Sequence, residues 1–270
     1  MNKSHLSLFT GIGGLDLAAE WAGFQTVGQC EWADYPTKVL EKYWPDVPRW
    51  RDIRMLTKES FYERTGLRTV DLISGGFPCQ PFSVAGKRRG SEDDRYLWPE
   101  MLKVIKELRP RWVIGENVAG IVNMALDTVL SDLEGIGYTA QAFIIPACAV
   151  DSPHRRNRCA IMAYSDNRSG IVRWEWELSA VKSPGSSGKN HGRRTPEHGA
   201  WERRAAQPGL GGMADGLPRW MDEPLDVPRI VQGVKDRVGR LKCLGNAVVP
   251  QQFYPIFRAI AEIETRRNMV

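Results

Sequence analysis

His5-Leu6-Ser7-Leu8-Phe9-Thr10-Gly11-Ile12-Gly13-Gly14-Leu15-Asp16-Leu17-Ala18-Ala19 is the stretch on which the fold turns. His5–Phe9 reads as a short strand. The glycines Gly11, Gly13 and Gly14 follow at once. Leu15, Ala18, Ala19 and Ala22 then fall at helical spacing, with Gly23 placed to stop that helix. Glycine lets the backbone turn sharply and approach a ligand closely. A strand, a glycine turn and a helix open an α/β sheet, and the carboxyl edge of such a sheet is where nucleotides bind. The spacing is not Gly-x-Gly-x-x-Gly, and no Lys-Ser/Thr follows as in a phosphate loop. On these residues alone, a bare strand-to-helix turn is an equal reading.

Further strands are expected at Phe24–Glu31, Val70–Ser74, Trp112–Glu116, Tyr138–Ile145 and Cys159–Tyr164. Asp34 is placed to cap the second helix, with Pro36 in its first turn. Strand–helix alternation predicts an α/β fold, a mainly parallel sheet with helices on both faces. Glu31 ends the second strand about 20 residues beyond the glycine turn, where a carboxylate can accept hydrogen bonds from ribose hydroxyls. Trp32 offers a flat face to an adenine ring. The plain alternative is a helix-start carboxylate beside a core Trp. Asp52 and Ile53 can likewise meet an adenine amino group and ring, or serve structure alone.

After Tyr164 the character changes. Ser165 to about Arg240 is rich in Gly, Ser, Pro and Arg, as in KSPGSSGKNHGRRTPEHG. This reads as a flexible insertion, or as a small DNA-facing lobe supplied with Arg193, Arg194, Arg203 and Arg204. Apolar periodicity returns with Phe253, Ile256, Phe257, Ile260 and Ile263 on one face of a final helix.

The 270 residues are 42% hydrophobic, enough for a large globular domain, and carry a net charge of +5, which favours a polyanionic partner. No run approaches the ~18 apolar residues of a membrane span. The N-terminus reads as a first strand and not as a signal peptide, so a cytoplasmic location is expected. Five cysteines without a Cys-x-x-Cys pair argue against disulfides and zinc, and no metal is expected.

The richest stretch is Gly75-Gly76-Phe77-Pro78-Cys79-Gln80-Pro81-Phe82-Ser83. Most lone cysteines are buried small hydrophobes, but a Gly/Pro-rich turn after a strand presents a residue instead of burying it. The basic run Val84-Ala85-Gly86-Lys87-Arg88-Arg89-Gly90 follows. This segment resembles the catalytic motif of the DNA cytosine-5 methyltransferase family. More of that family's motifs come in order. Phe9-x-Gly-x-Gly-Gly resembles the first, Glu116-Asn117-Val118 its ENV motif, His154-Arg155-Arg156-Asn157-Arg158 its Gln-x-Arg-x-Arg motif, and Gly245-Asn246-Ala247-Val248 the late one. The resemblance covers roughly 1–165 and 240–270. His154 stands where the family usually has Gln, and the motif before Gly245 is barely recognisable in Val234–Leu244.

The resemblance implies a Rossmann-like S-adenosylmethionine-dependent methyltransferase fold with a mixed sheet. Residues 1–165 plus 241–270 would form the catalytic and cofactor-binding domain, and 166–240 a small, irregular target-recognition lobe. It implies methyl transfer to carbon 5 of cytosine in double-stranded DNA; separately, a monomer is expected. Carbon 5 is a weak nucleophile until a thiolate adds at carbon 6, the step assigned to Cys79. Glu116 would relieve the charge that reaches ring nitrogen 3. Arg158 would polarise the base from its oxygen-2 side, and Arg156 would orient Glu116 or the loop. The cofactor pocket would combine Phe9, Gly11, Gly13, Glu31, Trp32, Asp52, Ile53, Asn246 and Val248, with Leu97 or Trp98 near the methionine end. Gln80, Ser83, Arg88 and Arg89 would contact DNA, with the target base flipped out of the stack. RNA-directed relatives usually carry Pro-Pro-Cys-Gln, where this chain has Phe77-Pro78-Cys79-Gln80. A catalytically silent homologue would be expected to lack Cys79, Glu116 or Arg158.

Overall fold

A computed structural model describes residues 3–78, 96–150, 152, 155–165 and 237–267. In chain order the elements are β1 (Lys3–Leu8), α1 (Gly14–Trp21), β2 (Phe24–Cys30), α2 (Asp34–Tyr43), β3 (Arg49–Trp50), α3 (Lys58–Thr65) and β4 (Leu72–Gly75). They continue with α4 (Trp98–Leu108), β5 (Trp112–Val118), α5 (Leu126–Gly135), β6 (Thr139–Ile145), β7 (Arg158–Tyr164), α6 (Arg237–Asn246) and α7 (Pro250–Arg267).

One seven-stranded sheet runs β3-β2-β1-β4-β5-β7-β6. The pairs from β3 to β5 are parallel, whereas β7 is antiparallel to both β5 and β6. The strand order reverses beside β1, a switch point that opens a crevice at the carboxyl edge of β1 and β4.

Side-chain alternation along the strands builds two cores. Leu6, Leu8, Ile73 and Val113 face one side and pack with Phe61, Met101, Ile105 and Leu133 of α3, α4 and α5. Leu72, Trp112 and Ile114 face the other, under Leu15, Ala18 and Ala19 of α1 and Phe253, Phe257 and Ile260 of α7. A third cluster, with Ile12, Leu40, Trp44, Cys243 and Ala247, joins α2 and α6 beside the glycine turn.

Every expected strand is present within a few residues of its expected bounds. The two-residue β3 was not foreseen, being too short to show a period. Its place on the sheet edge comes from backbone bonds of Gln29 N–H to Pro48 and Glu31 N–H to Trp50. Asp34 does not cap α2. The capping position is Ala33, with no side-chain cap, and Asp34 lies in the first turn, paired with Arg51. Glu31 accepts the Ala33 N–H instead (2.8 Å). α6 begins at Arg237. No described helix is long and apolar enough to cross a membrane.

Candidate active site

The turn after β1 is held by hydrogen bonds from both flanks. Thr10 N–H donates to the Cys30 carbonyl (3.1 Å), and Gly13 N–H to that of Thr10 (3.1 Å). Gly11 N–H donates to Glu31 Oε2 (2.7 Å). Phe9 (φ 52), Gly11 (φ 58) and Gly13 (φ 90) take left-handed conformations. A Cβ on Gly13 would lie 2.5 Å from the Trp44 ring, and one on Gly14 2.6 Å from the Val248 carbonyl oxygen. These glycines thus bring α2 and the late Gly245–Val248 segment onto the turn.

The crevice is a cleft of about 1120 Å³. Its lining includes Phe9, Glu31, Trp32, Asp52, Ile53 and Asn246 together with Phe77, Pro78, Glu116, Asn117 and Arg158. Expected cofactor residues and two of the expected catalytic residues thus share one space. Gly11 and Val248 line an adjoining recess of about 70 Å³, which Glu116 also reaches. Gly13 faces Trp44 and is not among the residues described as lining either space. Trp32 is 71% exposed, so it is no core Trp. Its carbonyl is held by Arg51 (2.6 Å). Leu97 lines the cleft, whereas Trp98 is buried against Phe77 and donates to Asp132. Cys79, Gln80, Ser83, Arg88, Arg89 and His154 lie outside the described residues.

Glu116 projects from β5 and is buried. Arg158 Nε lies 2.7 Å from its Oε1 in a close ion pair. Burial raises the Glu116 pKa above the ordinary carboxyl value, against the opposing pull of Arg158 and Arg156. The result is a carboxyl group that holds its proton more readily than a free one while staying beside two guanidinium groups. Arg156 is set behind the cleft, where its guanidinium donates to the carbonyls of Gly245 (2.7 Å) and Ala247 (2.6 Å).

Two residues that the motifs contain, but to which the sequence assigned no role, complete the geometry. Asn117 Nδ2 donates to the Phe77 carbonyl (2.9 Å), tying the chain after β4 to β5 two residues before Cys79. Gly76 lets Glu116 approach: a Cβ there would lie 2.8 Å from Oε2. The Gly75-Gly76 doublet was a visible signal for close approach, but nothing in the sequence named the partner. Among the described residues, no group of three or more His, Cys, Asp or Glu is arranged to hold a metal ion.

The profile of the C-5 cytosine-specific DNA methylase family matches residues 4–191. The chain belongs to this family. Within it, the chain is 34% identical over 184 residues to the Type II methyltransferase M.Eco47II of Escherichia coli, covering 66% of this chain and 43% of that protein. To M.PspPI of Psychrobacter sp. it is 37% identical, covering 59% and 39%. The chain therefore matches less than half the length of each of these methylases. A solved DNMT2 variant from Spodoptera frugiperda shares the fold, with a TM-score of 0.52 and 23% identity over 64% of this chain and 53% of that one. The Rossmann-like methyltransferase fold expected from the sequence is thus present.

Proposed function

We propose that this methylase-family chain transfers a methyl group from S-adenosylmethionine to carbon 5 of a flipped cytosine in double-stranded DNA, with Cys79 as covalent nucleophile. The observation that carries the proposal is the shared cleft, lined at once by an exposed indole, the Glu31 and Asp52 carboxylates and the close Glu116–Arg158 pair.

The expected cofactor residues suit an adenosine. Each Glu31 oxygen accepts one backbone N–H, leaving a lone pair for a ribose hydroxyl. Trp32 and Ile53 supply apolar faces, and the Asp52 carboxylate an acceptor for an amino group. S-adenosylmethionine, when bound, supplies an electrophilic methyl group.

The chain's own residues do the remainder. The Cys79 thiolate bonds to carbon 6 of cytosine, and the displaced electron pair moves toward ring nitrogen 3. Protonated Glu116 donates its proton there, which makes carbon 5 nucleophilic. After methylation the proton on ring nitrogen 3 returns to the Glu116 carboxylate, and transfer of the carbon-5 proton to a base, a water at its simplest, expels the Cys79 sulfur as thiolate and restores the ring. Arg158 keeps the cleft positive while charge builds on the base. The other cysteines fit the nucleophile's role poorly. Burial pushes the Cys30 thiol up to about 12 and Cys243 to about 11, and raises Cys159 as well. Cys148 is exposed and is not among the residues lining the cleft. Gln80, Ser83, Arg88 and Arg89 are the proposed DNA contacts, the last three at phosphates, and 166–240 the proposed recognition lobe of a cytoplasmic, monomeric enzyme.

The test offers the chain methyl-labelled S-adenosylmethionine with duplex DNA or with transfer RNA. Label in DNA, recovered as 5-methylcytosine and lost in Glu116→Ala, is the expected result. Label confined to RNA would overturn the choice of substrate, and label at another base position the chemistry.

A further inference from the structure

The connection between β6 and β7 turns back at the carboxyl edge of the sheet, where Ile145 pairs with Arg158. Gln252, in the first turn of α7, closes this connection from beneath. It is 1% exposed, and its amide nitrogen donates to the carbonyls of Ile145 (2.8 Å) and Arg156 (3.1 Å). Its Oε1 has no donor among the described residues. Docking α7 does not call for such a group. A methionine or leucine would fill the space without a buried oxygen left unmatched.

The bond to Arg156 explains why a glutamine stands there. Arg156 has φ 28, in the left-handed region that a side chain disfavours. Its carbonyl is gripped by Gln252, and its guanidinium grips Gly245 and Ala247, just ahead of α7. The start of α7, the Arg156 turn and the late segment therefore form a closed ring of contacts, and Ala247, whose carbonyl takes the guanidinium, lines the same recess as Glu116.

We propose that Gln252 is a positioning residue for the Glu116 site, holding the Arg156 main chain in its left-handed turn and so keeping the guanidinium beside the Glu116 carboxyl. The inference rests on Glu116 acting as the proton donor in the proposed reaction. Among the described residues, the charged groups acting on Glu116 are Arg156 and Arg158; the Cys159 thiol lies on the opposite face of the sheet, paired with Asn117, and Gly76 faces the carboxyl without a side chain.

The experiment compares Gln252→Met, Arg156→Met and the double variant by kcat on duplex DNA across pH. Gln252→Met is expected to lower kcat about ten- to a hundredfold, the cost of a misplaced catalytic group. Because Arg156 lowers the Glu116 pKa, its displacement should move the alkaline limb of the rate profile to higher pH. The double variant should lose no more than Arg156→Met alone. A wild-type kcat, or a loss that adds fully to that of Arg156→Met with an unmoved limb, would overturn the inference. Gln252→Asn, which keeps a neutral amide and withdraws it by one methylene from the Arg156 carbonyl, carries the same test if the Met variant does not fold. Wild type and Glu116→Ala run alongside. An inactive wild type would count against the proposed function, whereas an active wild type, an inert Glu116→Ala and an unaffected Gln252→Met would count against Gln252 alone.

Discussion

Glu116 reaches the cleft because Gly76 has no side chain. A methyl group at position 76 would sit 2.8 Å from Oε2 and push the carboxyl off its pairing with Arg158. Gly76→Ala is therefore expected to lower kcat about a hundredfold, as small displacements of reacting groups do, while the melting temperature stays near wild type. Methyl-transfer kinetics beside a thermal melt check this. Trp32 gives the complementary case. With 71% of it exposed, its loss should barely change stability. Trp32→Ala should weaken S-adenosylmethionine binding about five- to tenfold, the worth of one aromatic stacking contact, as read by calorimetric titration. The residue types were legible in advance: Glu31, Trp32, Asp52, Ile53, Glu116, Arg158 and Asn246 all line the cleft. Their mutual contacts were not. Arg156 answers to backbone carbonyls some 90 positions away, the Gly245 contact lying at a separation of 89, and no local pattern encodes a partner that distant.

Elements were legible where burial imposes a period. β1 shows it well, with Leu6 and Leu8 on one face and His5 and Ser7 on the other. The same logic placed α7, whose Phe253, Phe257 and Ile260 are all fully or nearly fully buried. Asp34 and β3 escaped for a shared reason. The start of α2 is set by a local bond from the Ala33 N–H to the Glu31 carboxylate two residues back, and β3 by its pairing with β2. Neither leaves a periodic trace. α7 also carries the late segment to the glycine turn, so its docking is part of the site. Phe257 meets His5 and Phe24 edge-on at ring distances of 5.8 and 6.1 Å. Phe257→Ala should cost about 3–5 kcal/mol, the usual price of emptying a core aromatic site. A lowered urea midpoint at unchanged slope is the expected signature.

Over the whole molecule, two buried groups, His5 on β1 and Asp16 on α1, set opposing responses to pH. His5 bonds to Thr26 and Ser74, and burial lowers its pKa from 6.5 to about 3. Its stabilising share is present above 6.5 and is lost as pH falls toward 3. Asp16 accepts from Ser7 and Gln29, and burial raises its pKa from 3.8 to about 6. Its share is complete below 3.8 and is lost as pH rises through 6. Between those values the unfolded chain binds a proton at His5 and the folded chain one at Asp16, so their slopes cancel. Asp16→Asn removes one of the pair. Relative to wild type, the variant should lose about 1.4 kcal/mol of stability for each unit of acidification in this window. Denaturant titrations at several pH values measure the difference; parallel curves for the two proteins would contradict it.

The central claim concerns one sulfur and one carbon. Duplex DNA carrying 5-fluorocytosine keeps fluorine where the carbon-5 proton should leave, so elimination stops and the enzyme stays attached. Incubated with S-adenosylmethionine and this DNA, the wild-type chain should form a denaturation-resistant adduct whose peptide map places the bond on Cys79, and Cys79→Ser should form none. A Cys79→Ser variant that still traps the DNA, or that methylates ordinary cytosine at the wild-type rate, would contradict the account.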